Sequence, residues 1–507
     1  MGNLDYRYVE PSLEVGMPSL GQQLLRRKPI IFQRKHHPGE ELKRNLGTFQ
    51  LMMFGVGATI GTGIFFVLSE SIPLAGPAVI ISFILAAIAA GLAALCYAEL
   101  SSSIPVSGSS YSFTYHSLGE GAAILVGGCV LLEYGVAVSA VAVGWSGYFN
   151  ELLHHLFGWQ LPPELSASFV PGSDGVATGG IVNLPAIILV VLCMLLLIRG
   201  ASESATVNAI MVIIKLSVLA MFIVIGFTAF NADHFSNFFA QASGISGAAG
   251  VIFFSYIGLD AIATASEEVR NPQKAIPRAI IGALLIVTVF YVLVAIAGVA
   301  AQPVEWFSTP EAGEAGLAKI MEIVTGTPIW ATILAAGAVI SVFSVTLVTL
   351  YGQTRILFSI ARDGMVSKRF LTVSAKHGTP VFNTVIVSIL VAIVAGFVPS
   401  EYLWDSVSFG TLVAFSVVAI SLIVLRRRQP DLERPFRVPL YPVVPILTVI
   451  VCVYVLVSLR PVTWIVCGSW LVLVFVFYLF YGRRHATLNS YTSDEEIAEP
   501  IHPEDEK

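Results

Sequence analysis

The sequence predicts an all-α polytopic membrane protein of twelve helical spans, and three observations carry that prediction. Of 507 residues, 56% are hydrophobic and only 12% are charged, with a mean hydropathy of +0.81. Soluble domains carry roughly 25% charged residues, so this chain lacks the polar residues needed to cover a water-facing surface. That excludes a soluble enzyme, a disordered protein and a nucleic-acid binder. The second observation is the recurrence of apolar stretches of about 20 residues, the length that crosses a hydrocarbon core. The third is a regular alternation of basic and acidic loops between them.

In chain order, residues 1–45 form a polar, basic cytoplasmic segment with no signal peptide, in which a short amphipathic stretch on the membrane surface is the one structured alternative to disorder. The first five spans are expected near 46–69, 77–99, 121–149, 181–199 and 206–230, making a unit over 46–230. The next five are expected near 246–267, 278–300, 328–354, 380–398 and 402–425, making a second unit over 246–425. Two more, near 441–459 and 462–481, fall in 426–484, and 485–507 is an acidic cytoplasmic tail expected to be disordered. Proline stands close to the start of several spans (Pro77, Pro185, Pro328, Pro380, Pro442), where a helix tolerates it. With both termini inside, all 28 Lys and Arg except Lys215, Lys319 and Arg460 fall on the cytoplasmic side. The opposite loops hold acids, among them Glu151, Asp174, Glu305 and Glu401. The five cysteines all lie in apolar stretches without zinc-type spacing and are expected to be buried free thiols.

Three charged residues are expected inside the bilayer. Lys215, in Asn208-Ala-Ile-Met-Val-Ile-Ile-Lys215, sits near the middle of span five, where a lysine costs roughly 2.5–3.5 kcal/mol on insertion scales. It is read either as half of a structural ion pair or, with more weight, as a titrating or coupling group. Glu133 in span three is its natural counterpart, either neutralising it or belonging to a proton relay. Asp260 in span six is the third. Glu267 and Glu268, nearer the cytoplasm, are read as a solvated helix end.

Two spans carry irregular glycine clusters: Gly55-Val-Gly57-Ala-Thr59-Ile-Gly61-Thr62-Gly63 in span one and Gly247 to Asp260 in span six. A small-residue packing face accounts for Gly57 and Gly61, but not for Gly63 or the two threonines. Glycines this dense make an unwound segment cheap. Unwinding at mid-bilayer frees N–H and C=O groups, which is tolerated only where they line a cavity. The N-terminus of the following half-helix suits a carboxylate, and free carbonyls suit an ammonium, so one site with both is an amino-acid site. Spans one and six are five apart, and paired interrupted helices in corresponding positions of two halves point to a transporter midplane site.

At these residues the chain resembles the amino acid–polyamine–organocation superfamily, and within it the bacterial relatives of the cationic amino acid transporters. The resemblance runs from about Arg44 to Arg484. It is carried by Gly57-Ala-Thr-Ile-Gly-Thr-Gly-Ile-Phe65, Pro105-Val-Ser-Gly-Ser-Ser-Tyr111, Glu133-Tyr-Gly-Val, Phe254-Ser-Tyr-Ile-Gly-Leu-Asp260, Glu267 to Pro277 and Tyr351-Gly-Gln-Thr-Arg355. It implies a LeuT-type fold of two inverted five-helix repeats with helices one and six broken. Thr59, Ile60, Gly61, Thr62 and Gly63 would hold the substrate carboxylate. Phe254, Ser255 and Ile257 would supply carbonyls for the α-ammonium, with Phe254 resembling a gate. Asp260 and Glu133 would face the substrate side chain. Lys215 matches a lysine that stands in place of sodium in proton-coupled members, so protons rather than sodium are the expected coupling ion. Thr59 replaces an aliphatic residue of some bacterial relatives, and the chain has twelve spans where animal relatives usually have fourteen.

The expected function is secondary active uptake of cationic and/or small neutral amino acids by alternating access, in a bacterial inner membrane. Amino acid/amine exchange on the same fold is the alternative, and a membrane amino-acid sensor a weaker one. Expected partners are the amino acid and the lipid bilayer, with room for a small accessory membrane peptide. No zinc, phosphate-loop or nucleophile–base constellation stands out, so neither an enzyme nor a cofactor or metal is expected.

Overall fold

The computed structural model describes residues 19–30, 44–168, 180–309, 316–374, 378–398, 400–457, 459 and 461–490. It is all-helical: among these residues there is no strand, only the isolated bridges Leu46–Val269 and Ser168–Ile181. The helices are α1 (Leu20–Leu25), α2 (Thr48–Thr59), α3 (Thr62–Ala75), α4 (Val79–Ser103), α5 (Ser109–Ser117), α6 (Glu120–Phe157), α7 (Pro163–Ser166), α8 (Leu184–Arg199) and α9 (Ala201–Thr228). They continue with α10 (Ile245–Phe253), α11 (Ala261–Thr264), α12 (Pro272–Ala301), α13 (Gly316–Thr325), α14 (Pro328–Arg362), α15 (Val381–Phe397), α16 (Ser400–Arg428), α17 (Val443–Val457) and α18 (Pro461–Phe477).

Seven helical stretches among the described residues are long and apolar enough to cross a membrane, and four shorter apolar helices accompany them. The protein is therefore a multi-pass membrane protein. Local chemistry sets the helix ends. The Asn183 side chain accepts from the Ala186 N–H at 3.1 Å and Pro185 sits in the first turn, which opens α8. Pro272 and Pro328 likewise stand at the first position of α12 and α14, there without a side-chain cap. Gly158, left-handed at φ 64°, closes α6.

Two groups of helices pack around the centre. One is built on α12, against which α2 and α4 lie, with α10 on α4, while α9 packs on both α12 and α14. The other is built on α6 and α14, with α8, α15 and α16 beside them. The bridge at Leu46–Val269 ties the residues before α2 to those after α11: the Leu46 N–H donates to the Glu268 carbonyl (2.9 Å) and the Arg270 N–H to that of Leu46 (3.1 Å).

Several details depart from the sequence reading. Residues 19–30 are docked rather than loose: α1 carries a buried Gln23, and the Arg26 and Lys28 side chains pair with Glu120 and Asp363. Helices α5 and α13 occupy segments read as loops, because each buries an apolar or aromatic face on its neighbours. All five cysteines are free and buried, as expected. The acidic tail beyond residue 490 and the ends of the basic N-terminal segment lie outside the described residues.

Candidate functional site

Between α2 and α3 the helix stops for Ile60 and Gly61, whose backbone is extended, so the first N–H groups of α3 lack helical partners. After α10 the chain passes through a 3-10 turn, Phe254–Tyr256, and a second break at 257–260 before α11. Gly258 has φ +115°, and a Cβ there would meet the Ala58 carbonyl at 2.8 Å, so only glycine fits the close approach of the two breaks. Gly63 faces Ser255 in the same way.

The two breaks open on one shared cavity. Ala58, Thr59, Gly61 and Gly63 line one side of it, and Ser255, Ile257, Gly258, Asp260 and Ala261 another. The remaining walls are Glu133, Tyr134, Ala137 and Val141 of α6, Val345 and Thr349 of α14 and Val407 of α16. Glu133 is 2% exposed and Asp260 4%. Glu133 Oε1 accepts from the Thr411 hydroxyl at 2.5 Å, and Asp260 Oδ2 from the Tyr134 hydroxyl at 2.6 Å. Their other oxygens, Oε2 and Oδ1, have no hydrogen-bond partner. A buried acceptor left without a donor costs about 1–3 kcal/mol, so the cavity presents two carboxyl oxygens prepared for a donor.

Lys215 is elsewhere. It is fully buried on the far side of the α2–α3 break, where its Nζ donates to the carbonyls of Gly57 (3.0 Å) and Ile60 (2.6 Å). Among the described residues no carboxylate lies within ion-pair distance of it. A Lys215–Glu133 ion pair, one of the two roles open to Glu133, is therefore absent: the break supplies carbonyls to the ammonium, and Glu133 faces Asp260's cavity instead. Ile60 turns with its carbonyl, which also accepts from the Ser341 hydroxyl at 3.1 Å, and does not line the cavity. The side chains of Thr62 and Phe254 lie outside the described residues. The Thr59 hydroxyl is spent within its own helix, donating to the Gly55 carbonyl at 2.9 Å.

Three sets of residues around the site escaped the sequence reading. The Tyr291 hydroxyl, from α12, lies 2.9 Å from the Thr59 carbonyl and 2.9 Å from the Ser255 carbonyl, so one phenol joins both breaks. Its only signal was a lone tyrosine in an apolar span. Asn208, two turns before Lys215 on α9, donates to the Met53 carbonyl (3.1 Å) and accepts from Ser344 (2.6 Å). The third set corrects an expectation. Glu267 and Glu268 are not a solvated helix end but a closure beneath the cavity. Arg362 makes two hydrogen bonds to Glu267 (2.9 and 2.7 Å), which also accepts from the Ser107 N–H and hydroxyl. Arg355 pairs with Glu268 at 2.6 Å, their side chains being 2% and 3% exposed, with the Tyr351 hydroxyl on the same oxygen. Arg355 and Arg362 are seven apart on α14, hence on one face.

Comparison with known proteins places this site in context. The amino acid permease family model matches residues 46–482. A methylthioribose transporter of Bacillus subtilis is 39% identical over 468 residues, covering 92% of this chain and 99% of that protein. The branched-chain amino acid permease BcaP of the same organism is 41% identical over 455 residues, covering 89% and 95%. The vacuolar cationic amino acid transporter 4 of Arabidopsis thaliana is 35% identical over 423 residues, covering 80% and 68%. These relatives are transporters rather than enzymes, and the chain, with its paired helix breaks around one buried cavity, belongs to the amino acid permease family.

Proposed function

We propose that this permease imports amino acids by proton-coupled alternating access, through twelve spans arranged as two inverted repeats of five, α2–α9 and α10–α16, followed by α17 and α18. On this reading both termini are cytoplasmic and the membrane is a bacterial inner membrane. The observation that carries it is the buried Lys215 ammonium, bonded to the Gly57 and Ile60 carbonyls of the helix break. A protonated lysine anchors the break to α9. A neutral one donates less strongly and frees α2 and α3, with the helices packed on α12, to rock against the group built on α6 and α14. A fixed cation on these carbonyls fills the place of a sodium ion, which is why protons are assigned as the coupling ion.

The substrate α-carboxylate would meet the N–H groups at the start of α3 around Gly61, Thr62 and Gly63, and the α-ammonium the carbonyls near Phe254, Ser255 and Ile257. Its side chain would extend toward Glu133 and Asp260. Their unpaired oxygens suit a cationic side chain, while Val141, Val345, Val407 and Ile257 suit a small aliphatic one. Relatives named for cationic and for branched-chain amino acids bracket the same two classes. Uptake of labelled arginine, alanine and leucine into proteoliposomes under an inward proton or sodium gradient tests the reading. Accumulation with protons alone supports it. Exchange of preloaded substrate without accumulation would replace it with an amino acid/amine exchanger.

A further inference from the structure

Asp260 lines a second, smaller space as well as the main cavity. This chamber lies between α4, the α10–α11 break and α16, is no larger than a single water needs, and is lined by Ala90, Ala94, Tyr97, Tyr256, Leu259, Asp260 and Phe415. Most of that wall is apolar, yet two polar atoms on it are unsatisfied: Asp260 Oδ1 and the Tyr97 hydroxyl, in side chains 4% and 2% exposed. The buried hydroxyls of Ser109 and Ser110 lie close to that of Tyr97 without forming a well-aligned hydrogen bond to it. Both belong to the Ser-Gly-Ser-Ser run that opens α5, where Ser109 takes the left-handed region at φ +49°. Buried polar atoms without protein partners hold water when the space admits it, and the chamber has room for about one molecule.

We infer that the chamber between Asp260 and Tyr97 is a water site, and that this water, Tyr97 and the Ser109 and Ser110 hydroxyls form a proton route from Asp260 to the cytoplasm. The inference rests on the proton-coupled reading above. It adds a path separate from Lys215, which lies across the α2–α3 break from it. A proton on Asp260 Oδ1 passes to the chamber water. That water hands one of its own protons to the Tyr97 oxygen, whose proton moves on through the serine hydroxyls to cytoplasmic water. Asp260 is left as a carboxylate and each relay group regains the proton that it gave. The titratable groups facing Asp260 are Glu133 and Tyr134 from α6, Tyr97 from α4 and Tyr256 from its own segment. From α14 and α16 only uncharged side chains, Val345, Thr349, Val407 and Phe415, line the two spaces. Such a path lets the site exchange protons with the cytoplasm while the Glu267–Arg362 and Glu268–Arg355 pairs keep it shut to substrate.

Two readouts on the full-length protein test this. Radiolytic hydroxyl-radical labelling reports bound water beside buried rings. Tyr97 is expected to label about fivefold faster than Tyr291, equally buried but bonded to two carbonyls. In proteoliposomes, Tyr97→Phe is expected to slow net proton-driven uptake roughly tenfold while counterflow, which needs no net proton movement, stays within about twofold of wild type. Taking the ratio within one variant removes differences in folding. Tyr97 labelling no faster than Tyr291, or an unchanged ratio in Tyr97→Phe, would overturn the inference. A wild type that shows no proton-driven uptake overturns the coupling reading and the route with it, while the labelling still decides whether the water site exists.

Discussion

At the scale of single residues, the site is organised by side chains that hold backbone carbonyls. Lys215 takes two from the first break, Ser341 shares one of them, Asn208 holds Met53 a turn below, and Tyr291 bridges the two breaks. Except at Met53, whose carbonyl lies within intact α2, these contacts replace hydrogen bonds that an unbroken helix would make internally, which is what permits irregular backbone at this depth. Tyr291→Phe leaves those two buried carbonyls short of a donor, a cost of about 1–3 kcal/mol. The apparent substrate affinity is therefore expected to fall roughly fivefold or more, measured as the KM for uptake, with little change in expression. The sequence made the break itself legible, because glycine density and a mid-span lysine are local signals. It could not show where Lys215 points. A single apolar helix gives no azimuth for a lone charge, so the nearest acid in hydropathy terms, Glu133, looked like its partner, whereas the carbonyls of a broken neighbour have no residue-type signature.

At the scale of elements, α14 is the spine of the closure beneath the cavity. Its Arg355 and Arg362 grip Glu268 and Glu267, and the Leu46–Val269 bridge makes the start of α2 move with those acids. On the proposed alternating-access reading, opening this end requires both ion pairs to part together. Removing one partner from a buried pair leaves an uncompensated charge and costs about 3–5 kcal/mol. Arg355→Met is expected to lower the melting temperature in detergent clearly, and Arg355→Met combined with Glu268→Gln to recover most of the loss. Equal stability of the single variant and wild type would contradict the burial described here. The docked segment 19–30 is a second such element. The His116 ring N–H donates to the Lys28 carbonyl at 2.6 Å, and burial, with the Lys28 charge beside it, lowers its pKa to about 4. Asp363 and Arg362 also face it. A histidine with a depressed folded pKa stabilises its docked state above the unfolded value near 6.5 and loses that contribution as pH falls toward 4. Hydrogen-exchange protection of residues 19–30 should hold from pH 8 to about 6.5 and decline below, and His116→Gln should flatten that decline. Sequence composition hid this element: a polar, basic stretch reads as solvated unless its partners, Glu120 and Asp363, are known to be waiting at the helix ends.

At the scale of the whole molecule, the packing divides into a group built on α12 and a group built on α6 and α14, with the cavity between them and Lys215 reaching across the division from α9. The helical, membrane-embedded character was legible from composition, loop charge and apolar runs of about 20 residues, because the bilayer admits only helices and closed barrels and runs of that length are helices. The shape of the site was legible in part. Thr59, Gly61, Gly63, Ser255, Ile257, Asp260 and Glu133 share one cavity, while Ile60 and Lys215 sit behind its wall. What stayed hidden was long-range: Tyr134 on Asp260, Thr411 on Glu133 and Tyr291 across both breaks are contacts between residues more than 30 positions apart. Lys215 has the proposed role of coupling a proton to amino acid movement across this division. Its most direct test compares wild type with Lys215→Ala in proteoliposomes, measuring uptake of labelled arginine and alanine as external pH is lowered at fixed internal pH. Wild type should accumulate substrate increasingly as the gradient grows, and Lys215→Ala should lose that dependence while still exchanging preloaded substrate. An unchanged pH dependence in Lys215→Ala would contradict the claim and leave Lys215 as a structural cation on the helix break.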